Sequence, residues 1–154
     1  MSTVLLVGKG APDRGGIPTF LETLRGGPLA QEHDLRFLNV AHAGVPEGGR
    51  ATVGNIRRTV RDAVAVWRAA RGRDVVHIHS ALAPAVTVLR AALLAVAGRA
   101  RGSAVVIHAH GGNKFIRSIN VIAFGIDQIQ RLALNHVHAI ICHFGGMVFI
   151  ERRP

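Results

Sequence analysis

The stretch "VVIHAHGG" at residues 105–112 ends an apolar run with two histidines and two glycines. A related stretch, "DVVHIHS", occupies residues 74–80. Short, continuous runs of β-branched residues are typical of strands that are buried on both faces of a sheet. Because residues i and i+2 of a strand share a face, His77 and His79 are predicted to point the same way, as are His108 and His110.

The rest of the chain alternates short apolar runs with helical patterns. Strands that alternate with helices imply right-handed crossovers and a parallel sheet. The sequence therefore predicts an α/β fold, a single doubly wound domain with a mostly parallel sheet. Besides the two histidine strands at 74–79 and 104–110, the predicted elements are strands at 3–8, 35–40 and 138–144 and helices at 17–27, 53–71, 84–97 and 115–135.

Two of the predicted helices have distinctive patterns. The helix from 53 to 71 is amphipathic, and its apolar face consists of Val53, Ile56, Val60, Val64 and Trp67. Its arginines, Arg57, Arg58, Arg61 and Arg68, lie elsewhere and indicate a solvated face. The stretch 81–98 is apolar enough to suggest a membrane span, but it contains Arg90, and Pro84 fits a first helical turn. We interpret it as a buried helix.

Composition limits the classes of function. The chain has 154 residues, 49% of them hydrophobic and 18% charged, which indicates a folded domain. The net charge of +10 comes from 17 Arg against 2 Lys. No basic run is interleaved with aromatic residues as a single-strand binder requires, so we expect no nucleic-acid partner. Cys142 is the single cysteine, which suits a reducing cytoplasm.

The histidines stand where ligands bind in this class of fold. In parallel sheets of this kind, ligands bind beyond the carboxyl ends of the strands, so His79 and His110 are predicted at the rim of one crevice. Two His-x-His pairs could form a four-histidine zinc site, but no carboxylate or cysteine lies beside them to complete a commoner ligand set. We expect His77 and His108 to be core residues bonded to backbone, and no metal.

The loop "GKGAPDRGG" at residues 8–16 matches neither a Walker A motif nor G-x-G-x-x-G. What remains is Gly15–Gly16 directly before a helix. This pair is compatible with an anion site at the helix N-terminus and equally with a plain tight turn. Cys142 and His143 would point to opposite faces of a strand, which argues against a nucleophile pair.

Three motifs in order resemble those of retaining GT-B glycosyltransferases of family 4. They are "GGIPTFLETL" (15–24), "DVVHIHS" (74–80) and "VVIHAHGGNKF" (105–115). The resemblance covers residues 1 to about 142 and implies that 1–144 form the Rossmann-like N-terminal half of a GT-B fold. The segment 145–154 does not match and is predicted to be a tail. His143 and Phe144 replace the small residues expected there.

The resemblance also implies a set of site residues and partners. Gly16 would bind the donor diphosphate through its amide while Gly15 shapes the turn, and His110 would be the catalytic residue that contacts the transferred sugar. Lys114, Arg117 and His79 would lie on the acceptor side. The substrates would be a nucleotide sugar and a sugar or lipid-phosphate acceptor, with no cofactor.

The donor-binding C-terminal domain is absent from the sequence, so this half is expected to be inactive alone. It would pair with that domain or self-associate through the exposed cleft face. The location implied is cytoplasmic, peripheral to the inner membrane face, with a role in bacterial surface polysaccharide or glycolipid synthesis. A non-catalytic binding or regulatory domain and a basic nucleic-acid-binding domain are the alternatives.

Overall fold

A computed structural model describes residues 1–42, 52–81, 85–110, 139–144 and 147–151 of the chain. Its strands form one sheet in the order β2-β1-β3-β4-β5-β6. The first five strands are parallel, and β6 is antiparallel to β5. The strands are β1 (Thr3–Gly8), β2 (Asp34–Asn39), β3 (Val75–Ala81), β4 (Ala104–His110), β5 (Ala139–Phe144) and β6 (Met147–Glu151).

The helices occupy the connections between these strands. They are α1 (Gly16–Gly26), α2 (Pro28–Glu32), α3 (Val53–Ala69) and α4 (Ala85–Arg99). The α/β class and the parallel sheet predicted from the sequence are confirmed. The predicted helix at 115–135 lies outside the described residues. Among those described, no helix is both long enough and apolar enough to cross a membrane.

Alternate residues of β1 enter two separate cores. Leu5 and Val7 are fully buried in a cluster that includes Val66 of α3 and Leu94 of α4. Val4 and Leu6 join a second cluster with Leu21 of α1. Successive residues of β1 point to opposite faces of the sheet, and both faces are buried. This explains why the sequence of β1 is a continuous apolar run.

The amino ends of β1 and β3 are tied together by Asp74. Its carboxylate accepts hydrogen bonds from the Thr3 backbone N–H at 2.7 Å and from the Thr3 hydroxyl at 2.9 Å. These bonds favour the ionised form and lower the pKa of Asp74 below its ordinary value. The aspartate that opens "DVVHIHS" thus has a structural role, at the opposite end of the strand from His79.

The orientation of α3 differs from the one that its apolar pattern predicts. Val53, Ile56, Val60, Val64 and Trp67 are all exposed, whereas Asp62 and Val66 are buried. The helix is rotated by about a third of a turn relative to an arrangement that buries the apolar face. Small residues and the buried Asp62 line the face that packs against the rest of the fold, with Ala63 and Ala69 against the core.

Two short elements are not predicted by the sequence patterns. α2 is a five-residue helix that begins at Pro28 directly after α1. β6 falls within the segment 145–154, for which the sequence predicts a tail, and its backbone pairs with β5 from Ile140↔Glu151 to Phe144↔Met147.

Candidate functional site

The sheet topology points to the carboxyl ends of β1 and β3. From β1 the chain passes through α1 to β2, on one side of β1, while β3 lies on its other side. α1 packs on one face of the sheet and α3 and α4 pack on the other. In open parallel sheets, ligands bind where adjacent strands send their connections to opposite faces.

The first element at this position is the start of α1. Gly15 precedes the helix with φ +130° and ψ −172°, a conformation that favours glycine, and no side chain caps this end. The Gly15 carbonyl accepts hydrogen bonds from the Thr19 backbone N–H at 3.2 Å and the Thr19 hydroxyl at 3.1 Å. Gly16 is exposed, and a Cβ added there would meet none of the described residues within 4 Å.

The loop between β1 and α1 is held by Asn39 at the end of β2. The Asn39 carboxamide oxygen accepts from the Gly10 N–H at 2.9 Å, and its nitrogen donates to the Ala11 carbonyl at 2.7 Å. Lys9 and Asp13 form an ion pair across the same loop at 3.4 Å. Sequence reasoning missed Asn39, because its partners in this loop lie 28 and 29 positions away in the chain.

Four histidines form the second element, here called the histidine cluster: His77 and His79 of β3 and His108 and His110 of β4. His79 is the register partner of His108, so the two His-x-His pairs lie side by side on one face. His79 Nδ1 lies 3.1 Å from His110 Nε2. The rings of His108 and His110 are stacked, with centroids 4.4 Å apart and planes 12° apart.

Phe20 of α1 covers this cluster. Its ring centroid lies 4.9 Å from that of His108 and 5.3 Å from that of His110, with both contacts edge-to-face. A third contact joins Phe20 to His79 at 5.6 Å. Because Phe20 is about one turn after Gly16, the start of α1 and the histidines belong to one region of the surface. Phe20 belongs to the predicted helix at 17–27, and sequence reasoning missed its contact with the histidines.

Gly8 makes this close approach of α1 possible. A Cβ added to Gly8 would lie 2.6 Å from Leu21 Cδ1 and 3.2 Å from His79 Cβ. Leu21 is itself 1% exposed and therefore has little room to move. The last residue of β1 is thus small because a helix side chain and a histidine stem both occupy the space beside it.

Burial favours the neutral forms of His77 and His79. Removal from water lowers the pKa of His77 to about 4, and repulsion from the ring of His110 adds to the effect. Burial, followed by repulsion from His77, His108 and His110, lowers the pKa of His79 to about 2. The Nε2 atoms of His77 and His79 are buried without a hydrogen-bond partner among the described residues.

The predicted site residues divide into three groups. Gly15, Gly16 and His110 lie at the carboxyl edge of the sheet. His79 is 5% exposed and contacts His110, and its place on the acceptor side stays a prediction. Lys114 and Arg117 lie outside the described residues. His143 is the register partner of His110 in β5.

No protein-family model matches this chain, and no curated protein matches it significantly.

A second polar cluster lies on the other face of the sheet. Asp62 of α3, 4% exposed, accepts from Arg90 Nη2 of α4 at 2.7 Å and lies 3.1 Å from His42 Nε2. Arg90 also donates to the Val40 carbonyl at 3.2 Å. This network explains why an arginine interrupts the apolar stretch 81–98. Sequence reasoning missed it, because nothing in the local patterns pairs residues 28 positions apart.

Proposed function

We propose that this chain is the acceptor-side domain of a nucleotide-sugar-dependent glycosyltransferase, the doubly wound N-terminal half of a GT-B fold. The work of such an enzyme would lie in bacterial surface polysaccharide or glycolipid synthesis. The observation that carries the proposal is the contact of Phe20 with His110, because it joins the glycine-led helix to the histidine strands. These are the segments whose sequences resemble family 4 enzymes.

In this proposal the start of α1 binds the donor diphosphate. The first N–H groups of a helix have no partner within it and carry partial positive charge, so they attract phosphate. The open space around Gly16 supports such an approach. Gly15 supplies the turn that presents these groups, and its φ of +130° would be strained for any other residue.

His110 is the proposed catalytic residue, a polar group positioned against the transferred sugar. The 3.1 Å contact between His79 Nδ1 and His110 Nε2 supports a positioning role for His79. Lys114 and Arg117 are proposed for the acceptor side from the resemblance alone.

The proposal assigns this domain only part of the reaction. Sugar transfer needs donor and acceptor held together and cationic or N–H groups that stabilise the departing diphosphate. Most of these groups are expected from a donor-binding domain. We therefore expect no sugar transfer by the 154-residue chain, and nucleotide-sugar binding on the order of millimolar.

Titration of the chain with a panel of nucleotide sugars, monitored by NMR chemical shifts, tests the phosphate site. Gly16→Val should weaken binding at least tenfold because the new side chain occupies the space of the phosphate. Gly26→Val is the matched control, since Gly26 ends the same helix and a Cβ there would likewise meet none of the described residues within 4 Å. Equal binding by the two variants would remove Gly16 from the site, and steeply salt-dependent DNA binding instead would favour a nucleic-acid domain.

The exposed apolar face of α3 supports a membrane partner. Ile56, Val60 and Trp67 are 61%, 54% and 42% exposed, and Arg57, Arg61 and Arg68 follow one side of them at helical spacing. An apolar strip beside arginines is suited to a surface of anionic lipid. Arg101 stacks on Trp67 at 3.5 Å and adds a further charge there.

Trp67 provides the readout, because it is the single tryptophan. Vesicles containing anionic lipid should shift its fluorescence to shorter wavelength, neutral vesicles should not, and salt should reverse the shift. Ile56→Asp should abolish the effect, whereas Leu89→Asp in α4, at a residue that is 58% exposed, serves as control. An unchanged spectrum with anionic vesicles at low salt would exclude the lipid surface, and concentration-dependent mass would instead indicate self-association.

A further inference from the structure

Three imidazoles of the histidine cluster converge closely enough to share one ion. One ring nitrogen from each of His77, His79 and His108 lies within 4.8 Å of the others. The backbone brings them together without loop geometry, because His77 and His79 share a face of β3 and His108 is the register partner of His79. Positions on central strands hold such groups more rigidly than positions on loops.

Within the described part of the chain, two nitrogen atoms of this group, His77 Nε2 and His79 Nε2, lack the partners that buried nitrogen normally has. The Nε2 atoms of His77 and His79 are buried with no hydrogen-bond partner among the described residues, although buried polar groups are nearly always satisfied. The sequence predicts that His77 bonds to backbone, and its Nε2 does not. An electron-pair acceptor at this position would satisfy both atoms together.

The three ligand atoms are all imidazole nitrogens, which limits the kinds of ion that this site could bind. Neutral imidazole is the form of histidine that binds metals, and a set made only of imidazole suits Zn²⁺ and its neighbours among the divalent transition metals, while Mg²⁺ and Ca²⁺ need oxygen ligands. We propose that His77, His79 and His108 form a site for a divalent transition ion of the Zn²⁺ class. This inference is independent of the proposed function, which needs no metal.

The contact with His110 fits the surroundings of such a site. A metal-binding histidine usually donates its second ring N–H to a neighbouring acceptor, which fixes the tautomer that binds the ion. His79 Nδ1 lies 3.1 Å from His110 Nε2, so donation by Nδ1 leaves the lone pair on His79 Nε2. His110 is then an outer-sphere positioning residue.

The geometry requires a small contraction. Zn–N bonds of about 2.0–2.1 Å in a tetrahedral arrangement place ligand nitrogens about 3.4 Å apart. The present separations of up to 4.8 Å must therefore close by rotation of the rings. Three protein ligands leave a fourth position for water or another molecule, which is the arrangement of open zinc sites.

The test titrates the chelator-treated 154-residue chain with Zn²⁺ against a competing chromophoric chelator, and with Co²⁺ followed by visible absorption. We expect one equivalent of either ion and tetrahedral Co²⁺ bands. His77→Gln and His108→Gln should each weaken binding by about 100-fold or more, and His110→Gln by about 10–100-fold. His33→Gln, at a histidine before β2 that is outside the cluster, should bind like the parent chain.

A measurement on the unaltered chain keeps the test independent of variant folding. Imidazole ¹⁵N spectra should show the Nε2 signals of His77 and His79 moving on addition of one equivalent of Zn²⁺. Binding that is unaffected by His77→Gln and His108→Gln in folded variants would overturn the site, as would ¹⁵N signals that move only for histidines outside the cluster. Zinc binding that survives Gly16→Val would keep this inference separate from the nucleotide-sugar proposal.

Discussion

Replacement of Arg90 by leucine should destabilise the fold through the charge it leaves behind. The change removes the 2.7 Å bond to Asp62 and the 3.2 Å bond to the Val40 carbonyl. Asp62, whose side chain is 6% exposed, then keeps only His42 as a partner among the described residues. Breaking a buried ion pair in this way typically costs about 3–5 kcal/mol, since the remaining charge stays out of water.

For Arg90→Leu we expect a loss of stability near or below the lower end of this range. The side chains of Arg90 and His42 are 21% and 26% exposed, so water reaches the edge of the network and screens the remaining charge. We expect Arg90→Leu to lower the free energy of unfolding by about 2–3 kcal/mol. That is a large share of the roughly 5–15 kcal/mol by which domains are stable.

A double-mutant cycle isolates the cause. In the variant that combines Arg90→Leu with Asp62→Asn, the unpaired charge is gone while side-chain size at position 62 is kept. More than half of the lost stability should return, because an amide can be buried at lower cost than a carboxylate. Urea unfolding monitored by circular dichroism measures all four chains, with an unchanged m-value as the sign that the transition is comparable. A cost below about 1 kcal/mol for Arg90→Leu, or an equal cost of Arg90→Leu in the parent chain and in the Asp62→Asn background, would refute the reasoning.

Three further perturbations test other parts of the fold. Gly8→Ala should cost about 1–3 kcal/mol in urea unfolding, because its Cβ would lie 2.6 Å from Leu21 Cδ1, whereas Gly16→Ala should cost nothing measurable. Asn39→Ala should make the loop at 9–13 susceptible to limited proteolysis without changing the far-ultraviolet spectrum; identical digestion would contradict its role. The unfolded chain takes up a proton on His77 below about pH 6.5 and the folded chain only near pH 4, so His77 should contribute a fall in stability of up to about 3 kcal/mol across that window as pH is lowered, and His79 should add to it. Replacement of His77 by glutamine should reduce the slope of unfolding curves collected from pH 7 to 4 while the contribution of His79 remains, and an unchanged slope would show that His77 is not one of its sources.

The order of strands and helices is predictable because it depends on local pattern. β1, β3 and β4 are continuous runs of apolar residues, and helices follow them at lengths that fit parallel crossovers. The same alternation predicts that the histidines of each pair share a face, and the pairing of His79 with His108 brings the two pairs together. The position of the histidine cluster in the sheet therefore follows from the sequence, although its contacts do not.

What the patterns miss depends on pairs that are distant in sequence. Periodicity predicts that the apolar side of α3 is its buried side, but Asp62 lies on the buried side, where it pairs with Arg90 of α4. The spacing of apolar residues shows which side of a helix is apolar. It does not show which side packs against the rest of the protein. The roles of Asn39 and Phe20 are hidden for the same reason, since they depend on a loop and on strands elsewhere in the chain.

The pairing of His79 with His108 limits how this protein can change over time. Because side chains alternate along a strand, deletion of one residue within β3 or β4 would not displace a histidine slightly but would carry it through to the face covered by α3 and α4. Valine and isoleucine side chains would then occupy the face that now holds the histidines. Insertions and deletions are therefore restricted to the loops, and the strands can diverge only by exchanging one side chain for another.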